Sequence, residues 1–223
     1  RRMKVGFLSE SPADEAAVRV LVDAILGSRT KRIHPPLRAR GWPNVLQVLP
    51  AVLRHLQFRT DADGLIVVVD SDDTPVHDDD HEDPSRYWEE CRLCQIEHVI
   101  RRTTRTWKMP RGRQPLRVAA GLAVPAVEAW YLCGRDDTVT EQAWAGALGS
   151  GLDPYTRRDL KARTYGTTRP SLRRETEQAV KDAHRLARKI RQLEETFPIG
   201  FGNLAREVRA WKDVNLTEGL PRT

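Results

Sequence analysis

The chain opens on a short apolar run, Val5-Gly6-Phe7-Leu8, that stops at Ser9-Glu10. A run of this length bounded by polar residues predicts a strand. Directly behind it, Ser11-Pro12-Ala13-Asp14 has the order of a helix start: Ser as cap, Pro at the first helical position, and Asp closing a capping box. Ala17, Val20, Leu21, Ala24 and Ile25 follow at helical spacing, with Gly27 as the stop. A strand feeding straight into a helix is half of a βαβ unit.

A Pro- and Arg-rich connection occupies 29–44, and the pattern then predicts a helix over 45–58. Leu46, Leu49, Val52, Leu53 and Leu56 share a face there, and Pro50 is expected to kink or split it. The strongest strand signal is Leu65-Ile66-Val67-Val68-Val69. Continuous branched residues without alternation predict a strand covered on both faces, as in a parallel sheet. It ends abruptly in Asp70-Ser71-Asp72-Asp73.

Further on, the spacing predicts an acidic loop over 74–83, a helix over 85–102 and a third strand over 116–122. Val124-Pro125 opens a helix through Leu132 that carries Glu128 among Val127, Trp130 and Tyr131. Residues 134–168 are polar and show no clear period. One long amphipathic helix is predicted over 171–197, with Leu172, Ala179, Val180, Ala183, Leu186, Ala187, Ile190 and Leu193 as its apolar stripe. A short helix over 203–211 follows, and there is no internal repeat. The expected fold is α/β, with a mostly parallel sheet and a helical C-terminal portion.

At 223 residues the chain is long for one compact domain and short for two. It divides on this reading into an α/β core over 3–134 and a mostly helical extension over 135–223 packed on that core. Apolar residues make up 39% and the mean hydropathy is −0.56, polar for a globular protein but not the composition of a disordered one. The longest apolar stretches, 65–69 and 118–127, fall short of the ~20 residues that span a bilayer. No charged-then-apolar leader precedes them, with Met3 read as the natural start. Three cysteines do not build a disulfide framework. A cytoplasmic protein with no membrane partner is expected.

The net charge of +6 conceals a segregation. Between Asp61 and Glu97 there are 13 acids against only Arg86 and Arg92. Between Arg101 and Arg117 there are seven bases and no acids. An acidic pole beside a basic segment suits a metal site next to a polyanion channel.

Glu10 stands just past the first strand, with Asp14 one helical turn on. Asp70 and Asp72 stand at the end of the buried strand, their spacing aiming both to one side. In open parallel sheets ligands bind at the carboxyl ends of the strands, so these acids converge if the two strands are neighbours. Clustered carboxylates repel unless a cation compensates. Oxygen ligands without His or Cys favour Mg²⁺ or Mn²⁺.

Three segments carry a resemblance: Glu10-Ser11-Pro12-Ala13-Asp14, Asp70-Ser71-Asp72, and Val124-Pro125-Ala126-Val127-Glu128-Ala129-Trp130-Tyr131-Leu132. Together they resemble the TOPRIM fold, in particular small bacterial TOPRIM-like proteins related to the overcoming-lysogenization-defect (OLD) nucleases. The closing Phe201-Gly202-Asn203-Leu204-Ala205-Arg206-Glu207-Val208-Arg209 is similar to the end of such chains. Ser11 departs from the usual Gly and Tyr131 from the common Leu, and the loop after Asp72 is unusually long and acidic.

The resemblance implies a Rossmann-like TOPRIM core and a Mg²⁺- or Mn²⁺-dependent nuclease acting on DNA or RNA. It further implies a place in anti-phage defence, with a partner ATPase or other defence subunit and room for a homodimer. Asp70 and Asp72 would hold one ion, with Glu10 as ligand or as base through a bound water. Asp14 and Glu128 would help bind a second, completing a two-metal clamp. Among Arg157, Arg158, Lys161, Arg163 and Arg169, one would neutralise the developing charge. Asp73 is an alternative to Asp72. A non-catalytic nucleic-acid- or protein-binding module and a phosphotransferase on a small substrate are the other readings.

Other signals change the picture less. His77, His81, Cys91 and Cys94 spell His-x3-His and Cys-x2-Cys with nine residues between the pairs, a possible zinc set but not a standard finger. Because the cysteines fall in a stretch with helical periodicity, they are read as packing thiols. The acidic run 78–83 lacks the order of an EF-hand and is read as a solvated loop. Trp107, between Arg105 and Lys108, is read as packing and not as a base-stacking platform. Arg185, Arg188 and Arg191 are weighed as phosphate contacts. No Gly-x-Ser-x-Gly or P-loop is present and Cys133 has no partner His at a telling distance, so nucleophilic hydrolase and NTPase chemistry fall away.

Overall fold

The computed structural model describes residues 1–34, 37, 39–82, 88–151 and 154–217. Four strands, β1 (Lys4–Ser9), β2 (Lys31–Arg32), β3 (Gly64–Asp70) and β4 (Arg117–Ala123), form one sheet in the order β2-β1-β3-β4. Every pairing is parallel. All seven residues of β3 are buried, as expected of a strand paired on both edges and covered on both faces. The fold is therefore α/β with an all-parallel sheet flanked by helices.

The first helix, α1 (Pro12–Leu26), follows the sequence closely. Ser11 Oγ accepts a hydrogen bond from the Asp14 N–H at 3.2 Å, and Gly27 ends the helix at φ 65°. The left-handed turn there is open to glycine at no steric cost. α2 (Trp42–Arg59) starts earlier than expected and runs unbroken through Pro50. Val45, Leu49, Leu53 and Leu56 are buried on one side, and that burial outweighs the hydrogen bond lost at the proline. The two-residue β2 went unforeseen within the connection before α2.

α3 (Arg92–Thr104) begins later than predicted, with Cys91 as its cap. Residues 85–87 of the expected helix lie outside the described residues, and Asp79–Glu82 forms a single 3-10 turn. α4 (Val127–Leu132) starts two residues beyond the proline expected to open it, and all six of its residues are buried. The unplaced region contains α5 (Glu141–Ser150) and α6 (Arg157–Tyr165). α6 has a complete capping box between Thr156 and Asp159.

The long helix expected over 171–197 is two: α7 (Leu172–Leu186) and α8 (Ile190–Thr196). The chain turns at 187–189, which lets α7 lie along α1 while Leu193 and Phe197 become fully buried. A straight helix would have carried them away from the core. The closing helix, α9 (Asn203–Thr217), is longer than expected and packs on α1 and β4.

A π-helical turn at Pro198–Gly202 precedes α9 and presses on β4. A Cβ at Gly200 would lie 2.0 Å from the Leu122 carbonyl oxygen, so only glycine fits. Helices α1, α7, α8 and α9 group together on the sheet, while α2 packs with α3. Among the described residues, no helix is long and apolar enough to cross a membrane.

Candidate functional site

The strand order places the topological switch between β1 and β3. β1 connects through α1 to β2 on one side, while its other neighbour is β3. A crevice opens at the carboxyl ends of the strands at such a point. Glu10 and Asp70 meet there: the Asp70 N–H donates to Glu10 Oε1 at 3.0 Å. The Asp70 carboxylate is buried and its Oδ1 accepts from the Val127 N–H at the start of α4, at 3.0 Å.

Asp72 sits at φ 49°, a left-handed conformation that Asp adopts more readily than most residues. Its N–H donates to the Pro125 carbonyl at 2.9 Å, which ties this turn to the segment before α4. Asp73, the alternative, is exposed. Asp14 and Glu128 are also buried at this pole. All five sequence-predicted acids thus share one pole of the molecule.

Burial and like charge set their protonation. The Asp14 carboxyl is pushed up to about 7, first by burial and then by Glu128. Burial, followed by Glu128 and Asp14, holds Asp70 well above the usual carboxylate range. Burial likewise raises Glu128 and Glu10. The Tyr131 hydroxyl, buried in the field of Asp14 and Glu128, lacks a hydrogen-bond partner. Hard oxygen donors that repel one another in a buried pocket are the chemistry that meets a divalent cation.

Cations from two helices, α6 and α3, reach this pole. Arg157, the first residue of α6, bonds Asp70 Oδ2 through Nη2 at 2.7 Å and Asp72 Oδ1 through Nη1. Lys161, one turn later, lies 3.9 Å from Glu128 and 3.6 Å from Glu175. Of the five bases weighed from sequence, these two face the acids. Arg163 instead pairs with Asp136 at 2.8 Å, and Arg158 and Arg169 are exposed.

Arg92 was missed as a participant. Its Nη2 is 2.6 Å from Asp72 Oδ2 and its Nη1 donates to the Asp70 carbonyl at 2.7 Å. The guanidinium lies over the Trp42 ring. The available signal was its rarity, as one of two bases in the acidic stretch.

Two other expectations resolve as structure. Trp107 packs edge-on against Phe58 with ring centroids 5.3 Å apart. Arg185 donates to the Tyr131 and Cys133 carbonyls at 2.6 and 2.8 Å, capping the end of α4.

A second donor set lies elsewhere. Among the described residues, one set of three or more potential metal donors has all its atoms within 4.8 Å of one another: His77, His81, Cys91 and Cys94. Against the strand-end carboxylates, by contrast, Arg92 and Arg157 stand as counter-charges. Cys91 and Cys94 are buried in the core, as expected of packing thiols, and both also face imidazoles. A metal ion can be held here, and sulfur and imidazole suit a softer ion than Mg²⁺ or Mn²⁺. No protein-family model, curated protein or solved structure matches the chain.

Proposed function

We propose that the chain is a Mg²⁺- or Mn²⁺-dependent nuclease of TOPRIM type that hydrolyses phosphodiester bonds at the β1–β3 switch point. The observation that carries this reading is the meeting of Glu10, Asp70 and Asp72 at the ends of adjacent parallel strands, with Asp14 and Glu128 beside them. Asp70, Asp72 and Glu10 would hold one ion, and Asp14 and Glu128 a second. Bound there, the ions would supply charge neutralisation and a more acidic attacking water.

The remaining work falls to side chains. Glu10, its carboxyl raised by burial, would take a proton from the attacking water. The water oxygen bonds to phosphorus as the bond to the leaving sugar oxygen breaks. Arg157, with a side chain 42% exposed, is free to turn from Asp70 and Asp72 toward the phosphate, and Lys161 lies on the same helix face one turn on. DNA or RNA is the substrate class, and a defence-system ATPase is the partner the resemblance suggests.

A second reading rests on Arg92 and Arg157. They already neutralise Asp70 and Asp72, as they would in a non-catalytic nucleic-acid- or protein-binding module of the same fold.

Plasmid, single-stranded DNA and RNA incubated with Mg²⁺, Mn²⁺ or EDTA separate the two, with Asp70→Asn and Asp72→Asn as controls folded by circular dichroism. Metal-dependent cleavage lost in both variants supports the nuclease. Cleavage indifferent to both variants rejects the assigned site. Binding without cleavage in either metal favours the module.

A further inference from the structure

The loop from β3 to α3 carries little regular structure: one 3-10 turn at Asp79–Glu82 among its described residues. Yet four side chains of soft-metal chemistry gather where it meets α3: His77, His81 and Cys91 on the loop and Cys94 in the first turn of the helix. His77 Nδ1 lies 3.6 Å from Cys91 Sγ and 3.5 Å from Cys94 Sγ, and His81 Nδ1 lies 3.7 Å from Cys94 Sγ. All four donor atoms fall within 4.8 Å of one another.

These distances have a specific meaning. With Zn–S of about 2.3 Å and Zn–N of about 2.0–2.1 Å at tetrahedral angles, sulfur and nitrogen ligands stand ~3.6 Å apart. The three observed separations match that value, so an ion needs little side-chain movement to enter. Two neutral imidazoles and two thiolates form a set that selects zinc over Mg²⁺ or Mn²⁺. Each pair chelates from one short segment, His-x3-His before Cys-x2-Cys.

The surroundings favour a structural site over a catalytic one. His77, Cys91 and Cys94 are buried and the His81 side chain is 5% exposed, so no open coordination position faces solvent. The Asp78 carboxylate lies 3.7 Å from His81 Nε2, which leaves Nδ1 facing the thiols. Trp88 stacks on the His81 ring with centroids 4.4 Å apart. Both cysteines are free thiols.

The cluster also borders the acidic pole. Arg92 immediately follows Cys91 and bonds Asp72 and the Asp70 carbonyl. We propose that His77, His81, Cys91 and Cys94 bind a structural Zn²⁺ that clamps the β3–α3 loop and holds Arg92 against Asp70 and Asp72. The site does not rest on the nuclease reading.

Metal analysis of the full chain, purified without a histidine tag or chelator, tests it. The expected result is about one zinc per chain, falling to near none in Cys94→Ser and in His77→Asn. If those variants fail to fold, Co²⁺ exchanged into the unaltered chain decides: tetrahedral d–d bands with thiolate charge transfer are expected. An octahedral Co²⁺ spectrum, a chain that takes up no zinc, or a Cys91–Cys94 disulfide in freshly purified protein overturns the site.

For Arg92, limited trypsin digestion of zinc-loaded and zinc-stripped protein is read by mass spectrometry. Stripping should open cleavage after Arg92, which is buried in the folded chain. Unchanged protection there removes the link between zinc and Arg92.

Discussion

Arg157 Nη2 lies 2.7 Å from Asp70 Oδ2, joining the start of α6 to the end of β3 across 87 positions of sequence. Asp70 is buried, so this is not a surface pair. The guanidinium also bonds Asp72, and two carboxylates held by one planar fork is geometry that lysine cannot copy. For a nuclease, Arg157→Ala should lower cleavage about 10²–10³-fold, the usual cost of removing one transition-state donor. Arg157→Lys should recover only part of it. Initial rates on a saturating substrate read both, and full activity in Arg157→Ala would remove the phosphate role.

Stability should respond to pH through Asp14. Its carboxyl titrates at about 7 in the folded chain, against an ordinary 3.8, because of burial and then Glu128. A raised carboxyl favours the fold while protonated. The stabilisation is full below about pH 4 and is lost as the pH rises through about 7. Asp70, Glu128 and Glu10 shift the same way. Asp14→Asn, which cannot ionise, should therefore show a shallower fall of Tm from about pH 4 to about pH 8. Parallel Tm curves for the two proteins would contradict the buried-carboxyl account.

Gly200 makes a sharper test of packing. Its missing Cβ lets the π-helical turn approach the Leu122 carbonyl, where an added carbon would sit 2.0 Å from the oxygen. Backbone does not yield as a side-chain tip does. Gly200→Ala should cost at least the about 1–3 kcal/mol typical of overpacking, read as a lowered urea midpoint with an unchanged slope. A midpoint equal to that of the unaltered chain would show that the turn is free to move.

The same turn depends on Glu141, the first residue of α5. Its buried carboxylate accepts from the Ile199 and Gly200 N–H groups, each at 2.7 Å. Glu141→Ala leaves both donors without their partner and should cost about 1–3 kcal/mol for each buried group. Glu141→Gln keeps one good acceptor and should cost about half as much. Urea unfolding of the two variants orders them, and the reverse order would be inconsistent with these bonds.

The parts of the fold readable from sequence are those governed by neighbours along the chain. Ser11 and Gly27 bracket α1 because a cap needs only the next few residues. The apolar run in β3 announces two-sided burial because all its residues need covering. Where tertiary packing competes, the local signal loses: Pro50 does not split α2, and the apolar stripe over 171–197 breaks at 187–189 to bury Leu193 and Phe197.

Asp70, Asp72 and Glu10 could be chosen from sequence because strand ends in a parallel sheet share one edge, whatever the loops do, whereas Asp14 and Glu128 were implied by the family resemblance. Of their counter-charges, Arg157 stood unranked among five candidate bases and Arg92 was not foreseen. Arg92 and Arg157 reach Asp72 from helices before and after β4, and no periodicity records such a meeting. His77 and His81 are likewise separated from Cys91 and Cys94 by nine residues, and only the turn of the loop onto the start of α3 brings the four donors together. Element type, caps and the strand-end acids were determined by residues within a few positions of one another. The arginine partners and the sulfur–imidazole cluster were decided by the crossovers of the fold, because their energies arise from contacts that exist only once the sheet has assembled.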